Sequence, residues 1–241
     1  MLDWLRRDPR AEPEIELCGR AVPISIRRLD RARRLTMRLA PDGSAVRISM
    51  PRWGRTEEAL AFAEARRDWL EKQLARIPEQ SATGDGTPLH FRGDPLVLRH
   101  DPAAPRRPLV DDGQLIVGGP LGSLQARAMR WLQNEARALL EVDLAHYCTR
   151  AALPVSPLAL SSAQRRWGSC AADGAIRINW RLVMAPDAVR RSVVAHEVAH
   201  LIHFDHSPAF HHCLGQLFEG SIHEANRWLK GNGRSLYVPF G

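Results

Sequence analysis

Apolar and polar residues alternate with a period of two through much of the first fifty positions, and with a helical period through much of the second half. EIELCGRAVPISIRRL holds two candidate strands. In RRLTMRLAPDGSAVRISM, Leu35, Met37 and Leu39 alternate with Thr36, Arg38 and Ala40, and Val46, Ile48 and Met50 alternate again after PDGS. Alternation on both sides of an Asp-Gly turn predicts a β-hairpin. TEEALAFAEARRDWLEKQLARI then predicts a helix with Thr56 as its N-cap, Glu57 and Glu58 in its first turn and Pro78 as its stop.

Residues 79–120 are richer in Gly, Pro and Asp and hold short strand patterns at Leu89–Arg92, Leu96–His100 and Gln114–Val117. A long helix is predicted over LGSLQARAMRWLQNEARALLEVDLAHYCTRAAL. Leu124, Ala128, Trp131, Leu132, Ala136, Leu139 and Val142 fall close to one face, and Pro154 ends the pattern. LALSSA and AIRINW read as strands flanking WGSCAADG. Three helical stretches close the chain: APDAVRRSVVAHEVAHLIHF, running from near Pro186 to about Phe204, then SPAFHHCLGQLFEG and SIHEANRWLKGNG. The expected architecture is α+β, with a β-hairpin and helix portion over 1–119 and a catalytic portion over 120–241.

The second half also carries the chemistry. Four of the ten histidines fall within HEVAHLIHFDH, His196 to His206. On a helix, His196 and His200 differ by only about 40° around the axis, so both imidazoles can share one metal. Glu197 lies at the edge of that face, placed to reach an activated water rather than the metal. A catalytic zinc takes three protein ligands and keeps one open position. The helix must end after about Phe204 for His206 to turn back as the third ligand. Asp205 suits the turn and Ser207-Pro208 the next helix start. His203, rotated about 60° further from His196, is a weaker ligand candidate. Cys170 is another. Such a site points to a zinc-dependent hydrolase, with zinc-activated water as nucleophile and Glu197 as general base. Tyr237, His203, Arg165 and Arg166 are eligible oxyanion donors, and Trp167 reads as packing.

QRRWGSC (Gln164–Cys170), GAIRINWRLVMAP (Gly174–Pro186) and VVAHEVAHLIHFDHSPAFH (Val193–His211) together resemble the YgjP-like metal-dependent hydrolases, which are related to the SprT-like and WLM zinc metalloproteases. RLDRARRLTMRLAPDG, from Arg28, and EARRDWL also look like that family, so the resemblance runs from about Arg28 to about Trp228. It implies a zincin-like catalytic domain that cleaves peptide or protein substrates, with zinc on His196, His200 and His206, Glu197 as base and AIRINW as a strand edge open to an extended peptide. The chain departs from metzincins: His203 stands where they have glycine, and no methionine follows Met184 to make a Met-turn. His211 stands where the family usually has an aromatic.

Net charge of +7 brings in two other readings. The H-x3-H-x5-H spacing is also similar to that of YbeY-type endoribonucleases, although Glu197 sits where those have no carboxylate. Arg27, Arg28, Arg31, Arg33, Arg34 and Arg38, with Trp53 and Trp69, are compatible with a nucleic-acid-binding module that carries a structural zinc. No stretch approaches the roughly 20 apolar residues of a membrane span. The first residues lack the apolar core of a signal peptide, and the four cysteines form no CxxC pair, so a cytoplasmic protein with reduced thiols is expected.

Overall fold

The computed structural model describes residues 13–40, 42–75 and 83–240. They form two compact units, within Met1–Glu79 and within Gln80–Gly241. The division falls at 79/80 and not at the expected 119/120. The strands of residues 88–117 bury their apolar face in the core of the second unit: Leu89, Leu98, Leu115 and Val117 share one cluster with Leu124, Ala128 and Leu132.

The first unit is a four-stranded sheet in the order β1-β2-β4-β3 with two helices. β1 (Glu14–Leu17) and β2 (Arg20–Leu29) form one hairpin. β3 (Thr36–Leu39) and β4 (Val46–Pro51) form the hairpin expected around the Asp-Gly turn. There Gly43 takes φ +74°, and Asp42 accepts hydrogen bonds from both the Ser44 amide, at 3.0 Å, and its hydroxyl, at 2.7 Å. Ile15, Leu17, Val22, Ile24, Val46, Ile48 and Met50 are buried, and the six arginines from Arg27 to Arg38 are exposed. The single helix expected after the hairpin is two: α1 (Thr56–Glu64) and α2 (Arg67–Leu74), broken at Ala65-Arg66. Arg55 is the N-cap in place of Thr56, whose hydroxyl instead accepts from Arg28 Nη2 at 2.8 Å. The stop expected at Pro78 lies outside the described residues.

The second unit places two sheets around a 27-residue helix. β5 (Pro88–Phe91), β6 (Asp94–His100), β7 (Leu109–Asp111) and β8 (Gln114–Val117) pair in the order β5-β6-β8-β7, then α3 runs over Leu124–Arg150. β7 has no buried residue to mark it in the sequence. α3 buries Leu140 and Leu144, while Val142, expected on the core face, is 68% exposed and Asp143 is buried. Asp143 points at α4 (Asp187–Ala199), where Arg190 Nε donates to it at 2.8 Å. Asp187, in the first turn of α4, pairs with both Arg92 and Arg190 at 2.5 Å. Burial pushes its carboxyl up, but the hydrogen bonds from Arg92 and Arg190 outweigh burial and hold it below the ordinary carboxylate range.

β9 (Leu158–Ser161), β10 (Gly168–Cys170) and β11 (Ile176–Asn179) make the last sheet, in the order β10-β11-β9. β11 is therefore the central strand, antiparallel to β10 and parallel to β9. AIRINW has no free edge for a peptide, which corrects that expectation, because both of its backbone rows are already spent on the sheet. α5 (Pro208–Leu217) and α6 (Ile222–Asn232) start at Ser207 and Ser221, whose hydroxyls accept from Phe210 N at 3.4 Å and Glu224 N at 3.2 Å. No helix among the described residues is long and apolar enough to cross a membrane.

Candidate metal centre

α4 is anchored by Val189, Val194 and Val198, all buried, and this turns His196 and Glu197 toward β10 and α6. The α-helix ends at Ala199, five residues earlier than the sequence pattern suggests, with His200 as its C-cap. The chain then tightens: Leu201 and Ile202 donate to carbonyls three residues back, at 3.0 and 3.1 Å. This early unwinding brings the His203 carbonyl within 3.0 Å of His200 Nδ1. A carbonyl only accepts, so Nδ1 donates this hydrogen bond and Nε2 is the nitrogen left to face the other rings. Asp205 accepts from the Ser207 amide at 3.4 Å, and the reversal into α5 returns His206 to the site.

Three imidazoles meet there. His196 Nε2 lies 3.2 Å from His200 Nε2 and 3.3 Å from His206 Nε2, and one nitrogen from each ring falls within 4.8 Å of the others. Nitrogen ligands about 2.0–2.1 Å from a tetrahedral ion stand about 3.3–3.4 Å apart, so the two separations from His196 match such a centre, and the set as a whole could hold a metal ion. Phe210, fully buried, floors the site. Its ring centroid is 4.5 Å from that of His200, nearly parallel to it, 4.8 Å from His206 and 5.0 Å from His196. Burial, followed by the neighbouring His200, His206 and His211, lowers His196 to about 4, so its ring is neutral at pH 7 and free to bind a cation.

Glu197 stands beside the three rings and outside the set that could hold a metal. It is only 5% exposed. Burial pushes its carboxyl up to about 7, against the opposing pull of the Arg166 charge and the Cys170 backbone N–H. Gly168 makes room for it: a Cβ there would sit 2.7 Å from Glu197 Cγ and 2.8 Å from Cδ.

The other sequence candidates are placed elsewhere. Cys170 contributes its backbone amide to Glu197, while its thiol, pushed up by burial and then by the Glu197 charge, lies outside the histidine set. His203 contributes its carbonyl. The Tyr237 hydroxyl is engaged in the framework, donating to the Ala163 carbonyl and accepting from Asn179 Nδ2, both at 3.1 Å. Trp167 packs on Tyr237, with ring centroids 5.6 Å apart, as expected, but it also lines a cavity beside Glu197. Phe210 and Gly168 were not singled out for these roles. For Phe210 a signal existed, because Ser207-Pro208 fixes a helix start and places Phe210 on its third helical residue, within reach of His206.

A buried carboxylate beside a three-histidine site with metal-compatible spacing defines a candidate metallohydrolase. The chain belongs to the YgjP-like metallopeptidase family, whose domain model matches residues 33–232. No curated protein and no solved structure gives a significant match. Family membership supports a metal-dependent hydrolase, and the histidine set could hold the metal.

Proposed function

We propose that the chain is a zinc-dependent peptidase with His196, His200 and His206 as zinc ligands and Glu197 as general base. The observation that carries this reading is the convergence of three histidine nitrogens beside a buried carboxylate that is not one of them. Three imidazoles suit a borderline metal such as zinc, and a three-ligand set leaves a position open. When bound, zinc supplies Lewis acidity and an acidified water near neutral pH. Glu197 holds the proton taken from the attacking water on its carboxylate and gives it to the leaving amine. Burial raises this carboxyl above its ordinary range, which favours its returning the proton after taking it. The Cys170 amide fixes the carboxylate, and Arg166 favours its charged form before the reaction.

The test is elemental analysis together with peptide cleavage. Wild type carries one zinc and cleaves peptides. His206→Ala loses the zinc. Glu197→Gln keeps it and loses about 10²- to 10⁴-fold in rate. Metal retained at full affinity in His206→Ala would refute the ligand set. A zinc-loaded protein that cuts RNA and no peptide would refute the peptidase.

A further inference from the structure

A cavity of about 230 Å³ opens directly beside His196 and Glu197, between α4, α6 and the segment leading into β10. It is smaller than the roughly 300–1,000 Å³ of small-molecule sites, so it holds one side chain rather than a cofactor. Its walls are Trp167, Val193, Ile222 and Leu229. Ile222, Asn226 and Leu229 stand at i, i+4 and i+7 of α6 and so form one stripe along the cavity. Apart from the two residues of the catalytic centre, none of the lining side chains is charged. Ser192 is also there, but its hydroxyl already donates to the Val189 carbonyl at 2.8 Å. Asn226, on the exposed side of α6, is the one lining amide.

The wall is preformed. Trp167 is held from behind by Tyr237 and by the close approach of Gly233, where a Cβ would come within 2.8 Å of Trp167 Cζ2. The Trp167 carbonyl also accepts from the Asn179 amide at 2.7 Å.

We infer that this cavity selects the substrate: it takes a single uncharged apolar side chain, of leucine or phenylalanine type, from the residue next to the scissile bond. The inference rests on the peptidase reading above. No arginine or lysine lines the cavity, so aspartate and glutamate find no cationic side chain there, and burying them unpaired is costly. Alanine leaves the cavity part empty. Each methylene gained or lost in such a pocket is worth about 10- to 200-fold in kcat/KM.

The experiment uses the whole 241-residue chain, loaded with zinc, on a randomised peptide library, with cut sites read by mass spectrometry. It is followed by kcat/KM on peptides that differ only at the selected position. Leucine is expected to exceed alanine by at least about tenfold. Ile222→Trp, which fills the cavity, lowers that ratio about tenfold or more while zinc content stays at one. Asn226→Arg, at an exposed position that folding tolerates, shifts the preference from leucine toward aspartate. Calorimetry on Glu197→Gln, with and without Ile222→Trp, reads the same leucine-to-alanine ratio as a ratio of Kd without turnover. Cleavage with no apolar preference, or a ratio that neither variant moves, overturns the pocket and leaves the peptidase standing. Failure of wild type to cleave, and of Glu197→Gln to bind, any peptide overturns both.

Discussion

Glu197 keeps its place because Gly168 has no side chain. A methyl group at 168 would overlap Glu197 Cγ and Cδ, so the buried side chain would have to move. Overpacking of this kind typically costs about 1–3 kcal/mol. Here it displaces the proposed base from the site. Gly168→Ala is therefore expected to keep one zinc, by elemental analysis, and to lose at least about tenfold in peptide kcat/KM. Full activity in that variant would show that Glu197 tolerates displacement and would count against its role. That His196, Glu197 and His200 lie close together was legible in the sequence because helical geometry sets how residues one and four apart are disposed, whereas the return of His206 depended on where the helix ends. Gly168 was not legible, since nothing in WGSC says which residue will face a helix some thirty positions later. Nor was the His203 carbonyl, because the pattern carried the helix past the point where it unwinds.

At the scale of elements, α4 carries the site and α3 holds α4. The link is the Asp143–Arg190 pair, with side chains 4% and 3% exposed. Arg190 also binds Asp187 on its own helix, and Asp187 binds Arg92 in turn. Removing one partner of a buried pair costs about 3–5 kcal/mol when the other is left uncompensated; Arg190 keeps Asp187, so the cost here falls at or below the lower end of that range. Asp143→Ala is expected to lose stability of that order in denaturant unfolding, whereas Asp143→Leu with Arg190→Met recovers most of it. Equal losses in the single and double variants would mean that packing, and not the charge, fixes the helix. The sequence could not show this link. Its helical period favours Val142 for the core and sends Asp143 to solvent, and only a partner on another element makes the reverse arrangement tolerable. The same limit applies to β10. Three residues, Gly168–Cys170, are too few for alternation to be read, and without β10 the neighbouring β11 looks like an edge.

The whole molecule divides where its cores divide. The sequence placed the boundary at 119/120 because strand patterns precede that point and helical patterns follow it. Burial cuts across that change in pattern. Leu89, Leu96, Leu98, Leu115 and Val117 are all 5% exposed or less and pack in the cluster that also contains the α3 and α4 cores. Each such side chain is worth about 1.5–3 kcal/mol when buried. Five of them together rival the roughly 5–15 kcal/mol by which a whole domain is stable. Every residue of the proposed metal centre and pocket lies in this second unit. Two truncations therefore have opposite outcomes. A chain beginning at Gln80 is expected to unfold cooperatively by circular dichroism and to bind zinc with a Kd within about threefold of the full chain. A chain beginning at Pro120 keeps every proposed ligand and the HEVAH helix yet loses the β5–β8 half of its core, and it is expected neither to unfold cooperatively nor to bind zinc tightly. If the shorter chain folded and held its metal, the first sheet of the second unit would be dispensable to the site, and the boundary read from the sequence would be the right one.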